Sequence, residues 1–435
     1  MKGKIAKQNK QPFIRNVIIL VTGTAAAQVI TMLLSPIITR LYGPESYGVM
    51  GTFMAIIGLF TPIAALTYPT AIVLPKSDRE AKGIVKLSIY ITILMFIFSS
   101  VILLIFNKSI IELFKIESVS SYLFLIPVAI LFGGLLETIE QWLIRTKQFR
   151  ISAKISIIQA LLIQGGKAGI GLIHPVAIVL IIFSAIQSGV KAFLMLLFSK
   201  NTEGKISLNF LNSRQSLKTL SKQYKDFPIY RAPQVFLNAT SQSLPILLLT
   251  TFFGPVAAGF YTLGRTVLNI PATLIGKSVG DVFYPRISQA ANEGENLTIL
   301  IKKATLSLVV VGIIPYGIVI IFGPELFNFV FGQEWTIAGE YARWIAIWVF
   351  FMFINQPSIR ALPVINAQSF HLKYSVLTLI IRVLTLAIGY FVFSSDIAAI
   401  ALLGLSAALL NLILILITIQ LSKKFDRQRK NLNVI

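Results

Sequence analysis

The chain has 435 residues, of which 55% are hydrophobic and 13% charged, with a mean hydropathy of +0.79, against about 25% charge in an ordinary soluble domain. Apolar runs of about 18 residues or more recur along the whole length, each long enough to cross a hydrocarbon layer of about 30 Å, which excludes a water-soluble core. There is no cysteine, so disulfides, thiol chemistry and cysteine metal sites are excluded, and the net charge of +22 lies mostly between apolar runs, the pattern of cytoplasmic loops rather than of nucleic-acid binding.

The apolar pattern predicts an all-α integral membrane protein with about twelve spans, at roughly 16–40, 46–74, 84–106, 120–145, 154–173, 175–199, 229–253, 256–284, 303–322, 338–366, 372–393 and 396–421. The basic start of the first segment, Lys2 to Arg15, and Ala25-Ala26-Ala27 imitate a signal peptide. Apolar character running on to Leu41 makes a retained first span the expectation. With the N-terminus inside, the inner segments hold about 29 of the 39 Lys and Arg residues, while the outer loops hold Arg40, Lys108 and Lys115. That asymmetry predicts both termini in the cytoplasm.

Two short patterns repeat. Gly43-Pro44 followed by Gly48 returns as Gly254-Pro255 followed by Gly259, and Glu112-Leu113-Phe114 returns as Glu325-Leu326-Phe327, at offsets of about 211 and 213 residues. Both pairs fall in corresponding outer loops. The expected organisation is an N-terminal six-helix lobe at 1–205, a cytoplasmic amphipathic linker at 206–228 and a C-terminal six-helix lobe at 229–435. The lobes form a parallel internal repeat, with substrate expected between them near the midplane. In the linker Leu217, Leu220, Tyr224 and Phe227 share one helical face, opposite Lys218, Lys222 and Lys225, as a helix on the inner leaflet would.

No catalytic or metal constellation is visible. His174 and His371 fall on opposite membrane faces, and Gly165-Gly166-Lys167-Ala168-Gly169 lacks the Ser or Thr and the strand of a phosphate loop. Those glycines read instead as close helix packing. With no metal or cofactor expected and no long loop for a catalytic domain, the chain reads as a non-enzyme.

The residues that carry a functional signal are charges inside the spans: Lys167, Lys191, Arg265, Lys277, Arg343, Arg360 and Arg382, against Glu137, Glu140 and Asp281. At about 2.5–3.5 kcal/mol each, seven basic groups facing lipid would cost about 15–20 kcal/mol, beyond a typical whole-fold stability of about 5–15 kcal/mol. Several must meet water or a partner. Lys191, Lys277 and Arg343 lie near span ends, where snorkelling accounts for them. Lys167, Arg265, Arg382 and Arg360 are the candidates for a cationic cavity that would suit a phosphate or pyrophosphate group. Glu137 and Glu140, one helical turn apart, and Asp281 are candidates for charge pairing or ion coupling.

The stretch from Ser35 to Gly48, including Pro36, Arg40, Gly43-Pro44 and Tyr47, resembles the first-helix signature of bacterial polysaccharide-biosynthesis flippases. So does Tyr68-Pro69-Thr70 through Lys76 with Asp78 and Glu80-Ala81. Gly259-Phe260-Tyr261, Arg265, Pro271 and Val282 through Ser288 are similar to that family's eighth helix. The resemblance implies the two-lobed fold of multidrug-and-toxin-extrusion (MATE) transporters and lipid II flippases. It also implies alternating access and a cationic cavity for an undecaprenyl-pyrophosphate-linked oligosaccharide, such as an O-antigen, capsule or exopolysaccharide unit. Arg265 sits close to a cavity arginine of the lipid II flippase. Twelve spans rather than fourteen favour the O-antigen or capsule branch, with lipid II transport and small-molecule or multidrug antiport as alternatives, and an integral-membrane polymerase or transferase as a more distant one. The implied setting is the bacterial inner membrane, with membrane lipids and polysaccharide polymerase machinery as partners, no nucleic acid, a monomeric chain, and a proton or sodium ion as coupling ion.

Overall fold

The computed structural model describes residues 2–114, 117–199 and 216–432, with the helical backbone alone described at 2–18, 20–21, 113–114, 271–282 and 430–432. Every regular element among them is helical. Nine helical segments of the described residues are long and apolar enough to cross a membrane, with Thr22–Ile63 forming one of them. Contacts divide the chain into two compact units, Met1–Thr251 and Phe252–Ile435.

The first unit begins with α1 (Lys2–Phe60), which is two helices joined at Gly43. Gly43 has φ 68° and ψ 172°, a region essentially closed to residues with a Cβ, and Pro44 then starts the second arm. The expected span at 46–74 does not stay helical to its end. The regular helix stops at Phe60, followed by short 3₁₀ turns at Thr61–Ile63 and Tyr68–Val73. Pro62 and Pro69 remove N–H donors there, and Leu66 and Thr67 take positive φ. Arg145 secures this irregular stretch: Nη1 donates to the carbonyls of Ile72 (3.0 Å) and Pro75 (2.7 Å), while Nη2 meets Asp78 Oδ1 at 2.9 Å.

α2 (Asp78–Phe114), α3 (Leu125–Arg145), α4 (Phe149–Gly171) and α5 (Ala177–Ser199) complete the bundle. Small residues set its closest approaches. Gly133 and Gly134 of α3 admit Thr61 and Thr92, and Gly171 of α4 lies against Tyr42, whose hydroxyl donates to the Lys167 carbonyl at 2.7 Å. In the Gly165–Gly169 cluster only Gly166 works this way, against the Phe183 ring; Gly165 and Gly169 face open space.

Of the linker, 206–215 lies outside the described residues. α6 (Leu217–Gln223) is helical as expected, but its apolar face is covered by protein rather than by the leaflet. Leu220 is buried among Tyr68, Ile72, Ile84 and Trp142, with Leu217, Tyr224 and Phe227 beside it. Hydrogen bonds explain the choice, because Gln223 Nε2 and the Tyr224 hydroxyl both donate to Glu80 Oε1 (2.8 and 3.0 Å). Burial and the Glu80 bond push the Tyr224 hydroxyl up to about 12. A π-helical turn at Phe227–Arg231 leads into α7 (Ala232–Phe253). α7 packs on the second arm of α1 through Thr52···Thr250 (2.6 Å), Gly58 beside Ser243 and Phe60 beside Phe236, which explains why contacts join 232–251 to the first unit, whereas the sequence pattern groups 229–253 with the second lobe.

The second unit comprises α8 (Pro255–Glu293), α9 (Leu297–Phe331), α10 (Thr336–Ile354), α11 (Gln356–Ala361), α12 (Gln368–Phe391) and α13 (Asp396–Leu432). Gly254, before α8, has φ 83° and ψ 178°, nearly the conformation of Gly43. The expected span at 338–366 is broken at Asn355, one residue before the Gln356-Pro357 pair, and regular helix ends at Ala361. Asn355 is fully buried and donates to Asn411 Oδ1 at 2.9 Å, so a polar bond joins the break to α13. Asp426 of α13 accepts from the Leu297 and Thr298 amides (3.1 and 3.0 Å), capping α9.

Candidate functional site

Tyr261 and Arg265 are one turn apart on α8, so they share a helical face. Arg382 stands on α12, and its guanidinium carbon lies 4.9 Å from the centre of the Trp348 ring of α10, within cation–π range. Arg265 and Tyr261 are each within electrostatic reach of Arg382. Tyr261 and Trp348 are buried, and the two arginines are half-buried. Three helices of the second unit thus bring two of the expected basic residues together, alongside an indole and a phenol. Two like charges repel each other, so the grouping concentrates positive charge inside the second unit. Each guanidinium can offer paired donors to phosphate oxygens.

The other sequence-derived candidates lie elsewhere. Lys167 is in the first unit, 7% exposed, with Nζ donating to Ser184 Oγ at 3.0 Å and resting 3.7 Å from Met50 Sδ. Its ammonium is therefore packed between α4, α5 and α1. Arg360, expected deep in a long span, is exposed on α11, one residue before that helix ends.

Among the acids, Glu140 pairs with Lys191 at 2.7 Å, and Glu137 is within electrostatic reach of Glu140 and of Arg231. Arg343 pairs with Glu340 at 3.1 Å. Lys191 and Arg343 thus each reach a nearby carboxylate, where snorkelling had been the expectation: inside a low-dielectric layer a counter-charge a few ångströms away stabilises more than a distant headgroup. The side chains of Asp281 and Lys277 lie outside the described residues. Among the described residues no group of three or more His, Asp or Glu could hold a metal ion.

Sequence reasoning did not single out Trp348, and it named Tyr261 only as part of the eighth-helix resemblance. A signal existed for Trp348: tryptophan favours the two membrane interfaces, and this one falls well inside an apolar run. Nothing in spacing along the chain connects Trp348 with Arg382, because the contact joins different helices.

A family model described as polysaccharide biosynthesis protein matches residues 37–340. The chain belongs to the polysaccharide biosynthesis protein family. The match includes Tyr261 and Arg265 and stops before Trp348 and Arg382. No curated protein matches this family member in sequence. Among solved structures it is similar to the lipid II flippase MurJ in an inward closed conformation, with TM-score 0.69 and 14% identity over 93% of this chain and 87% of that one. It is also similar to a multidrug resistance MATE family transporter of the MOP superfamily. The inward-facing form gives TM-score 0.68 at 14% identity over 91% and 96% of the two chains. The outward-facing form gives 0.60 at 13% over 95% and 96%. At these identities the likeness shows the fold: this polysaccharide biosynthesis protein is a multi-pass, all-helical membrane protein of MATE-like architecture.

Proposed function

We propose that this protein is a flippase that carries an undecaprenyl-pyrophosphate-linked oligosaccharide across the bacterial inner membrane by alternating access, with both termini in the cytoplasm. The observation that carries the reading is the grouping of Arg265 and Arg382 with Trp348 and Tyr261 in the second unit. A pyrophosphate loses its hydration when it leaves the aqueous phase, and two guanidiniums offset much of that loss with charge-assisted hydrogen bonds. Indole and phenol rings beside them suit the sugar nearest the pyrophosphate, whose apolar face can lie against an aromatic surface. Membership of the polysaccharide biosynthesis family and a fold shared with a lipid II flippase support a lipid-linked glycan over other anions.

Translocation of this kind forms and breaks no bond in the substrate. The protein's work is to lower the cost of moving the headgroup through the hydrocarbon layer, and the direction comes from an ion gradient or from consumption of the product outside. Lys167 is packed against Ser184 and Met50 and Arg360 is exposed on α11, so the headgroup is assigned to the arginine pair.

The test is depletion of the protein with mass spectrometry of undecaprenyl-linked species on each membrane face. The expected result is a repeat unit accumulating on the cytoplasmic face, restored to the outer face by the wild-type chain and by neither Arg265→Glu nor Arg382→Glu. An unchanged glycan pool together with altered drug sensitivity would replace this reading with a small-molecule antiporter of the same fold.

A further inference from the structure

An apolar cavity of about 420 Å³ lies within the first unit, bounded by the second arm of α1, by α2 and α3, and by α7. One end is marked by Ile63, Met95 and Phe236, and the other by Ile110, Leu123 and Thr251. Its two hydroxyl-bearing residues are turned back on their own helices: Ser99 donates to the Phe96 carbonyl at 3.0 Å and Thr251 to the Leu247 carbonyl at 2.9 Å. The wall is therefore almost wholly apolar. The cavity also reaches the surface, since Phe98 on its wall is 57% exposed and Phe60 is 36% exposed.

Its shape selects among hydrocarbons. From Met95 to Ile110 along α2, and again from Phe236 to Thr251 along α7, the helical rise is about 22 Å. Half of a hydrocarbon core is only about 15 Å. The acyl chain of a phospholipid is confined to one leaflet, so it fills one end of such a groove. A polyprenyl chain several times longer fills the whole. α7 holds the groove open because it meets α1 along one edge, through Thr52···Thr250 and Phe60 beside Phe236, and stands across the cavity from α2 and α3.

We propose that this groove holds the polyprenyl tail of the lipid-linked substrate. The inference rests on the lipid-linked reading of the preceding subsection, and its test separates the two. Binding of undecaprenyl pyrophosphate and of geranyl pyrophosphate is measured on the full chain in phospholipid nanodiscs. Wild type is expected to bind the long-chain probe tighter by about tenfold or more, because the tail gains van der Waals packing along the groove that fluid lipid does not match. Ser99→Trp and Leu247→Trp, which fill the groove, are expected to lose that margin while keeping wild-type affinity for geranyl pyrophosphate, which also shows that they are folded. Groove variants that keep the long-chain margin overturn the groove and leave the headgroup reading intact. Wild type that binds neither probe overturns the headgroup reading and the groove with it. A second measurement needs no variant: undecaprenyl pyrophosphate bearing a diazirine in its tail is photolysed on the wild-type chain. Adducts are expected within 93–110 and 236–251; adducts confined to other segments overturn the groove.

Discussion

The guanidinium carbon of Arg382 lies 4.9 Å from the centre of the Trp348 ring. An aromatic face is one of the few neutral surfaces in a membrane interior that attracts a cation, and it does so without cancelling the charge. Trp348 therefore holds the Arg382 guanidinium in place and leaves it charged. The positive charge and the planar fork contribute separately, and substitution can tell them apart.

Arg382→Lys keeps the charge and loses the fork. Export of the glycan by Arg382→Lys is expected to fall by about tenfold, and by Arg382→Glu to background, with insertion unchanged in both. Trp348→Leu keeps an apolar volume and removes the ring face, worth about 1–2 kcal/mol when desolvated, and export is expected to fall as in the lysine variant. Export is read as surface polysaccharide per inserted protein. Wild-type export by both Arg382→Lys and Trp348→Leu would show that neither the fork nor the ring face matters to the substrate.

The Glu140–Lys191 pair, at 2.7 Å with both side chains partly buried, predicts a different pattern. Either single neutralisation, Glu140→Gln or Lys191→Met, leaves one charge inside the bundle. The double variant leaves none. The singles are expected to be less stable than the double, with a coupling of about 1–3 kcal/mol, read as thermal unfolding in detergent. An additive result would mean that the two charges are independently solvated. If the pair is structural, export by the double variant matches wild type; loss of export in the stable double variant would assign Glu140 to ion coupling instead.

The helices were legible in the sequence because each has to be apolar over its whole length to sit in lipid, and that leaves a long, redundant signal. The breaks were less so. The end of regular helix at Phe60 depends on Pro62, on Pro69 and on Arg145 arriving from α3 to bind the Ile72 and Pro75 carbonyls, and the last of these is invisible along the chain. The same holds at Asn355, whose partner Asn411 belongs to α13. Depth in an apolar run singled out Arg265 and Arg382 together with Lys167 and Arg360, because depth measures only the cost of a charge. What offsets that cost is a neighbour on another helix: Ser184 for Lys167 and Trp348 for Arg382. The amphipathic face at 217–227 was read correctly as a face and assigned to the wrong cover, since a leaflet and a protein groove ask the same of a short helix.

Docking of α6 on the first unit predicts an alkaline transition. Tyr224 is held protonated by burial and by its bond to Glu80, so its hydroxyl titrates near about 12 rather than at its ordinary 10. The folded state then binds the proton more tightly than the undocked one. The contribution is complete below about pH 10 and is lost as pH rises through about 12. Protection of the 217–224 amides from hydrogen exchange, taken relative to the intrinsic base-catalysed rate at each pH, is expected to fall over that window, and Tyr224→Phe should abolish that fall while lowering protection at neutral pH. Equal protection of wild type and Tyr224→Phe at all pH values would remove the Tyr224–Glu80 bond from the account of docking.

Gly43 and Gly254 share a conformation, φ 68° and ψ 172° against φ 83° and ψ 178°, and each is followed by a proline that starts a helix. Matching geometry at matching motifs means that one backbone solution serves in both units. Alanine at either position is expected to cost about 1–3 kcal/mol from backbone strain alone. At Gly254 the reason must be conformational, since a Cβ there would meet nothing within 4 Å. Gly165→Ala is the control: it too meets nothing within 4 Å, but it lies inside α4, where alanine is favoured over glycine by roughly 0.5–1 kcal/mol. Thermal unfolding in detergent should therefore place Gly43→Ala and Gly254→Ala below wild type and Gly165→Ala at or above it. If Gly254→Ala melts with wild type, the left-handed conformation at that turn carries no energetic weight, and the correspondence between the two Gly-Pro motifs reduces to sequence alone.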